Sequence, residues 1–233
     1  MPRSERALLL DLDDTLYPQR RFLMSGFAAV ARHVADTFGA DATRAFGVLM
    51  ASYRGADRRH ELDRLVQELG LPVSVEALVD VVRSHTPSLT LRPSIRRTLL
   101  LLRESWRLGI VTNGLPSIQA AKVAALGVDR LVDTVVYAAE HGSGTGKPER
   151  DPFLEALRRL ETSAADAIFV GDDGHADILG ATACGIQTIQ TFQWKRASRA
   201  SIASRATAVV HGLLEIPAVA DRVFAGRRNQ HAA

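Results

Sequence analysis

Only one cysteine, Cys184, occurs in the 233 residues, so no internal disulfide can form and no Cys-x-x-Cys metal site exists. Its apolar surroundings, Ala181 to Ile186, suit a small buried residue. No run approaches the roughly 18 consecutive apolar residues of a membrane span. The charged N-terminus, Met1 to Ala7, passes straight into a short apolar run, leaving no room for the apolar core of a secretory signal. The expectation is a cytoplasmic, soluble protein with no membrane partner. The sequence pI is about 9.4, but the formal net charge is only +3. No basic stripe interleaved with aromatics is present, which argues against nucleic acid as a partner. Lysine is also scarce. Only Lys122, Lys147 and Lys195 occur, with arginine at the other basic positions, so each lysine is a candidate for a specific role.

What is present is enough to bury a core: 46% of residues are hydrophobic and 24% are charged. Short apolar runs at Ala7–Asp11, Leu108–Thr112, Thr134–Ala138, Ala167–Val170 and Thr188–Phe192 read as strands, with Ala208–Val210 a weaker sixth. Amphipathic segments at Ser94–Ser105, Ser117–Leu126, Asp151–Leu160 and Ala176–Cys184 alternate with them. This rhythm predicts an α/β fold, a doubly wound parallel sheet (Rossmann-like) with helices on both faces. It is broken between Tyr17 and Thr90. There Phe27, Val30, Val34 and Phe38 recur at helical spacing, as do Leu62, Leu65, Val66 and Leu69, and then Val75, Leu78, Val79 and Val82. Four helices and no strand are expected in this insert, with Leu91-Arg92-Pro93 marking the return. The expected division is a core of residues 1–16 and 91–233 and an all-α insert of residues 17–90. The tail beyond Gly226 is expected to fray.

Ligands of open parallel α/β sheets bind outside the carboxyl ends of the strands. The first strand ends Asp11-Leu12-Asp13-Asp14-Thr15, and the next core strand ends Thr112-Asn113-Gly114. The fourth ends Gly171-Asp172-Asp173, with Asp177 five residues after Asp172, and a loop before a helix carries Gly146-Lys147-Pro148. Four separate segments thus deliver carboxylates, a hydroxyl and a lysine to one edge of one sheet. Crowded carboxylates repel one another and need a cation. Hard oxygen donors suit Mg²⁺, which would let a phosphate dianion approach. Aspartate can act as nucleophile toward a phosphoryl group, and a second aspartate two residues on can serve as acid and base.

These four segments, in this order, resemble the motifs of haloacid dehalogenase-type hydrolases over about residues 7–193. The resemblance implies a phosphatase with a small helical cap inserted after the first motif, closing over the site. It implies that Asp11 is the nucleophile and Asp13 the acid/base. Mg²⁺ would be held by Asp11, the Asp13 main-chain carbonyl and Asp172, with Asp177 orienting that shell. Thr112 and Asn113 would bind the phosphoryl group, and Lys147 would balance its charge. Dehalogenases of the family lack the second aspartate as acid/base, so Asp13 favours phosphate chemistry. Asp173 departs from the small residue often found at its position, which leaves its division of labour with Asp172 open.

The expected activity is Mg²⁺-dependent hydrolysis of a small phosphorylated metabolite: a sugar phosphate, a nucleoside monophosphate or a biosynthetic intermediate. A phosphomutase using the same aspartates and a silent phospho-ligand-binding protein are the alternatives. Other polar residues have plainer readings. His141 and His175 flank the motifs as loop histidines, Arg54, Arg58 and Arg59 form a solvated basic run, and Phe22, Phe27 and Phe38 form the core of the insert. Tyr17 and the Arg20-Arg21 pair follow the first motif and are candidates for touching a leaving group.

Overall fold

The first apolar run, Ala7–Leu10, is buried on both faces and forms β1. A strand covered on both sides needs such a continuous hydrophobic run rather than alternation. The computed structural model describes residues 5–55, 58–195 and 205–231. After β1 the chain leaves the sheet and forms four helices: α1 (Arg20–Phe38), α2 (Ala42–Arg54), α3 (Glu61–Leu69) and α4 (Val75–Ser84). It then alternates: α5 (Pro93–Leu102), β2 (Arg107–Thr112), α6 (Pro116–Leu126), β3 (Thr134–Tyr137), α7 (Asp151–Arg159), β4 (Ala167–Gly171), α8 (Gly180–Ala183), β5 (Gln187–Thr191), β6 (Ala208–Val210) and α9 (Ile216–His231).

The six strands form one sheet in the order β3-β2-β1-β4-β5-β6, and every pairing is parallel. This is the doubly wound Rossmann-like architecture expected from the strand–helix rhythm. The chain works outward from β1 through β2 to β3, then crosses to place β4 on the other side of β1. Such a reversal separates the loops that leave the two neighbouring strands and opens a crevice at their carboxyl ends. Here the neighbours are β1 and β4, paired Leu10 to Val170. One face of the sheet packs Val111, Val136, Phe153, Leu157, Phe169 and Ile186 into a continuous core.

Contacts divide the chain into two compact units, Met1–Pro18 with Thr90–Ala233, and Gln19–Leu89. The second unit has its own core around Phe27, Val30, Val34, Val48, Leu49, Leu65 and Leu78. Its helices are delimited by local chemistry. α1 stops at Gly39, whose positive φ of 69° accommodates a left-handed cap, and Asp41 caps α2 by accepting a hydrogen bond from the Arg44 N–H at 2.7 Å. Phe22 and Phe27 are buried, while Phe38 is only partly so.

Two local expectations change. The helix expected over Ala176–Cys184 starts earlier, as a widened turn over Gly174–Leu179, before the short α8. The Asp173 carbonyl accepts from the N–H groups of both Asp177 and Ile178, at 3.1 Å each, and this shared acceptor widens the turn. The chain beyond Gly226 does not fray at once: α9 runs through His231, and the last two residues lie outside the described residues. Among the described residues, no helix is long and apolar enough to cross a membrane.

Candidate active site

Asp11 follows directly on β1, and its N–H donates to the Val170 carbonyl at 2.9 Å, so the ladder to β4 fixes its backbone. Asp172 follows directly on β4. The two residues therefore flank the crevice where the sheet reverses direction. Asp177 comes from the widened turn after β4, and oxygens of Asp11, Asp172 and Asp177 all lie within 4.8 Å of one another. All three residues are buried. The approach of Asp177 depends on Gly171: a Cβ there would stand 2.3 Å from an Asp177 carboxylate oxygen. With that space open, Asp177 accepts from the Asp173 N–H at 3.0 Å and turns its other oxygen toward the crevice.

Lys147 enters this carboxylate cluster. Its Nζ donates to Asp11 Oδ1 at 2.7 Å, to Asp177 Oδ1 at 2.7 Å and to the Val111 carbonyl at 2.8 Å. These contacts use all three hydrogens of an ammonium group. Its main chain is pinned as well. The Lys147 N–H donates to Asn113 Oδ1 and the Asn113 amide donates to the Lys147 carbonyl, both at 2.8 Å. Gly146 precedes it with φ 81°, and a Cβ at that position would meet Asn113 Oδ1 at 2.6 Å. The loop is therefore locked to the end of β2 before its side chain reaches the site. Burial alone would push the Lys147 ammonium toward neutrality, but Asp11 and Asp177 outweigh it and raise its pKa. Burial pushes the Asp11 carboxyl well above its ordinary value, with Lys147 pulling against that rise. Asp172 is pushed up to about 6, again by burial first, with Lys195 drawing it down.

Asp13 sits apart from this cluster with a different cation. Lys122 Nζ donates to both of its oxygens, at 2.9 and 2.7 Å. The Tyr17 hydroxyl donates to Asp13 Oδ1 at 2.5 Å, and Gln119 Nε2 donates to Oδ2 at 2.9 Å. Burial first, and then Asp13, hold the Tyr17 phenol far above its usual pKa, so it stays a donor. Gln119 Nε2 also donates to Thr112 Oγ1 at 2.8 Å and contacts the Asn113 carbonyl. The third lysine, Lys195, contacts Asp172 Oδ2 and lies 3.8 Å from Asp14. Every lysine of the chain thus pairs with an aspartate of the first or fourth strand's loop.

The structure gathers Asp11, Asp172, Asp177 and Lys147 at one point and places Asp13 and Thr112 beside it, joined through Gln119. Asn113 turns its side chain to the Lys147 backbone. Asp172 and Asp173 separate by geometry: Asp172 is buried in the cluster, while Asp173 is exposed and caps the following turn by accepting from His175 and Ala176 N–H at 2.8 and 2.7 Å. His175 is exposed. His141 is half-buried, and its Nε2 finds no hydrogen-bond partner among the described residues. Arg54, Arg58 and Arg59 are exposed, with Arg58 stacked over Tyr53 at 5.1 Å. Gln119, Lys122 and Lys195 line the site with no role that the sequence assigns them. Gln119 and Lys122 lie on a helix that reads only as amphipathic. The scarcity of lysine marks Lys122 and Lys195 as candidates without saying which aspartate each meets, and Gln119 carries no such signal.

The donor set at the cluster is all oxygen and carries more carboxylates than ammonium groups, so Asp11, Asp172 and Asp177 could hold a hard metal ion. Residues 5–185 match the haloacid dehalogenase-like hydrolase family. A glyceraldehyde 3-phosphate phosphatase of Methanopyrus kandleri is 32% identical over 202 residues, covering 82% of this chain and 85% of the relative. A ribulose-1,5-bisphosphate 5-phosphatase of Halopiger xanaduensis is 33% identical over 201 residues, covering 78% and 83%. Among solved structures, a 2-haloacid dehalogenase from Pseudomonas syringae superposes with a TM-score of 0.63 at 25% identity, covering 93% and 98%. A phosphatase from Thermococcus onnurineus superposes at 0.59 with 21% identity, covering 92% and 97%. The chain belongs to the haloacid dehalogenase-like hydrolase family, in its phosphatase branch.

Proposed function

We propose that this phosphatase hydrolyses a small phosphorylated metabolite through a phosphoryl group carried transiently on Asp11, with Mg²⁺ as cofactor. The observation that supports it best is the division of cations among the aspartates. Asp11 is buried and fixed by Lys147, whereas Asp13, two residues on, is held by a separate lysine at a more open position. A nucleophile and an acid/base need different environments of this kind.

In the first step an Asp11 oxygen attacks phosphorus while the ester P–O bond breaks, and Asp13 gives its proton to the departing oxygen. In the second step Asp13 takes a proton from water as the water oxygen bonds to phosphorus. The Asp11–phosphorus bond breaks and inorganic phosphate leaves. Thr112 accepts from Gln119, which leaves its own hydroxyl hydrogen to donate to a phosphoryl oxygen, and Lys147 offsets the charge that builds there. Asp11, Asp172 and the Asp13 main-chain carbonyl would hold Mg²⁺, oriented by Asp177, and the ion would supply charge compensation for the phosphate dianion. The helical insert Gln19–Leu89 is assigned the role of a cap that selects the substrate.

Glyceraldehyde 3-phosphate and ribulose 1,5-bisphosphate head the compounds to test, because relatives named for these substrates match most of the chain. A panel of sugar phosphates, nucleoside monophosphates and other small phosphomonoesters, read by free phosphate with and without Mg²⁺, tests the proposal. Phosphate release that requires Mg²⁺ supports it. An isomerised phosphate ester without free phosphate would replace it with a mutase, and no turnover of any ester would reject it.

A further inference from the structure

We infer that Lys122, together with Tyr17, is a positioning group for the acid/base Asp13, acting on the departure of the leaving group; this rests on the phosphatase reading above. Lys122 is buried on α6, with its side chain 5% exposed against 17% for Asp13. A buried ammonium needs a paired and hydrogen-bonded partner. Here it lies against both oxygens of one carboxylate, at 2.9 and 2.7 Å, which fixes the plane of that carboxylate.

The surrounding contacts complete the constraint. Tyr17 donates to Oδ1 at 2.5 Å, and Gln119, one turn before Lys122 on the same helix face, donates to Oδ2 at 2.9 Å. Each Asp13 oxygen therefore has two donors, from the loop after β1 and from α6, an arrangement that suits the carboxylate as it takes a proton from water. The acid form that protonates the leaving oxygen gives up one of these donors. An aspartate side chain free to rotate would spread its carboxyl over several rotamers, only one of which could reach a leaving oxygen. Lys122 is directed at the Asp13 carboxylate, so in this inference it acts on the ester through that carboxylate. Its effect passes through Asp13 and should follow the demand for proton transfer.

That demand depends on the leaving group. An alkoxide must be protonated as its P–O bond breaks, whereas p-nitrophenolate departs with little help. The value of kcat/KM reports on steps through phosphoryl transfer to Asp11, so it isolates this step from the later attack of water. The experiment compares kcat/KM for an alkyl phosphomonoester and for p-nitrophenyl phosphate in the wild type and in Lys122→Met, Lys122→Arg, Tyr17→Phe, Asp13→Asn and the Asp13→Asn/Lys122→Met double variant. Lys122→Met should lower the alkyl value by roughly 10- to 100-fold, part of the full acid–base factor, and the aryl value by about threefold or less. Lys122→Arg, whose planar fork also suits both oxygens of one carboxylate, should recover most of the loss. The double variant should be no slower than Asp13→Asn alone.

Tyr17→Phe deletes a single hydroxyl and should shift the alkyl value in the same direction by a smaller factor. It carries the test if Lys122→Met does not fold. Equal losses on both esters, or losses that multiply in the double variant, would overturn the inference and leave Lys122 a structural ion pair. A wild type that turns over neither ester would instead remove the phosphatase reading, and this inference with it.

Discussion

Asp11 and Asp13 are separated by one residue, yet each is held by its own cation, and those two cations do different geometric work. Lys147 donates to three acceptors on three segments: Asp11, Asp177 and the Val111 carbonyl. An ammonium can do this from a point, but the flat guanidinium fork cannot. In a chain that otherwise relies on arginine, that requirement gives a physical reason for lysine here. Lys147→Arg should therefore behave like Lys147→Met, each lowering kcat/KM by at least about 100-fold, as when a preorganised donor to developing charge is lost. Steady-state kinetics on the best substrate of the panel, with circular dichroism to check folding, would measure it. Near-wild-type activity in Lys147→Arg would contradict this account. At Asp13, replacement by Asn keeps the shape and removes the proton transfer, so turnover of an alkyl phosphate should fall by roughly 10²–10⁴-fold with the fold intact.

At the scale of the element, the turn after β4 carries most of the precision. Gly171 leaves room for the Asp177 carboxylate, and the shared Asp173 carbonyl widens the turn that carries Asp177. Gly171→Ala would put a methyl group 2.3 Å from a buried carboxylate oxygen. Asp177 would have to move, taking one of the two carboxylates from Lys147. The expected cost is about 1–3 kcal/mol of stability in denaturant titration, together with a loss of activity larger than that destabilisation explains.

Little of this turn is legible in the sequence. Most of the strands are, because β1, β3 and β4 are short apolar runs and β2 is one after its first residue, and the strand ends point to Asp11, Thr112 and Asp172. β5, Gln-Thr-Ile-Gln-Thr, is buried despite its polar residues and is marked chiefly by its β-branched Thr and Ile. The widened turn is not, since its cause is a carbonyl shared by two N–H groups. Neither Gln119 nor Lys122 can be placed from spacing: α6 reads as an ordinary amphipathic helix, and only the sheet order sets it beside the loop after β1. The role of the Asn113 side chain is hidden too, because it bonds to backbone 34 residues away.

For the molecule as a whole, the doubly wound sheet concentrates negative charge at a single crevice of a chain whose net charge is +3. Burial drives Asp11 and Asp172 toward protonation, a conflict that a divalent cation would relieve. Mg²⁺ should consequently bind the folded protein in preference to the unfolded chain. At 100 times its dissociation constant it should add about 2.7 kcal/mol, seen as a raised Tm in a thermal shift that needs no substrate. Asp172→Asn should abolish most of that shift. A Tm indifferent to Mg²⁺ would exclude the proposed cofactor.

The covalent step is tested most directly by quenching the enzyme with acid during turnover of its best substrate and mapping phosphoryl mass onto peptides. A phosphoryl group on the peptide containing Asp11, absent in Asp11→Asn, is the predicted result. A phosphoryl group mapped to another residue, or undiminished turnover in Asp11→Asn, would contradict it.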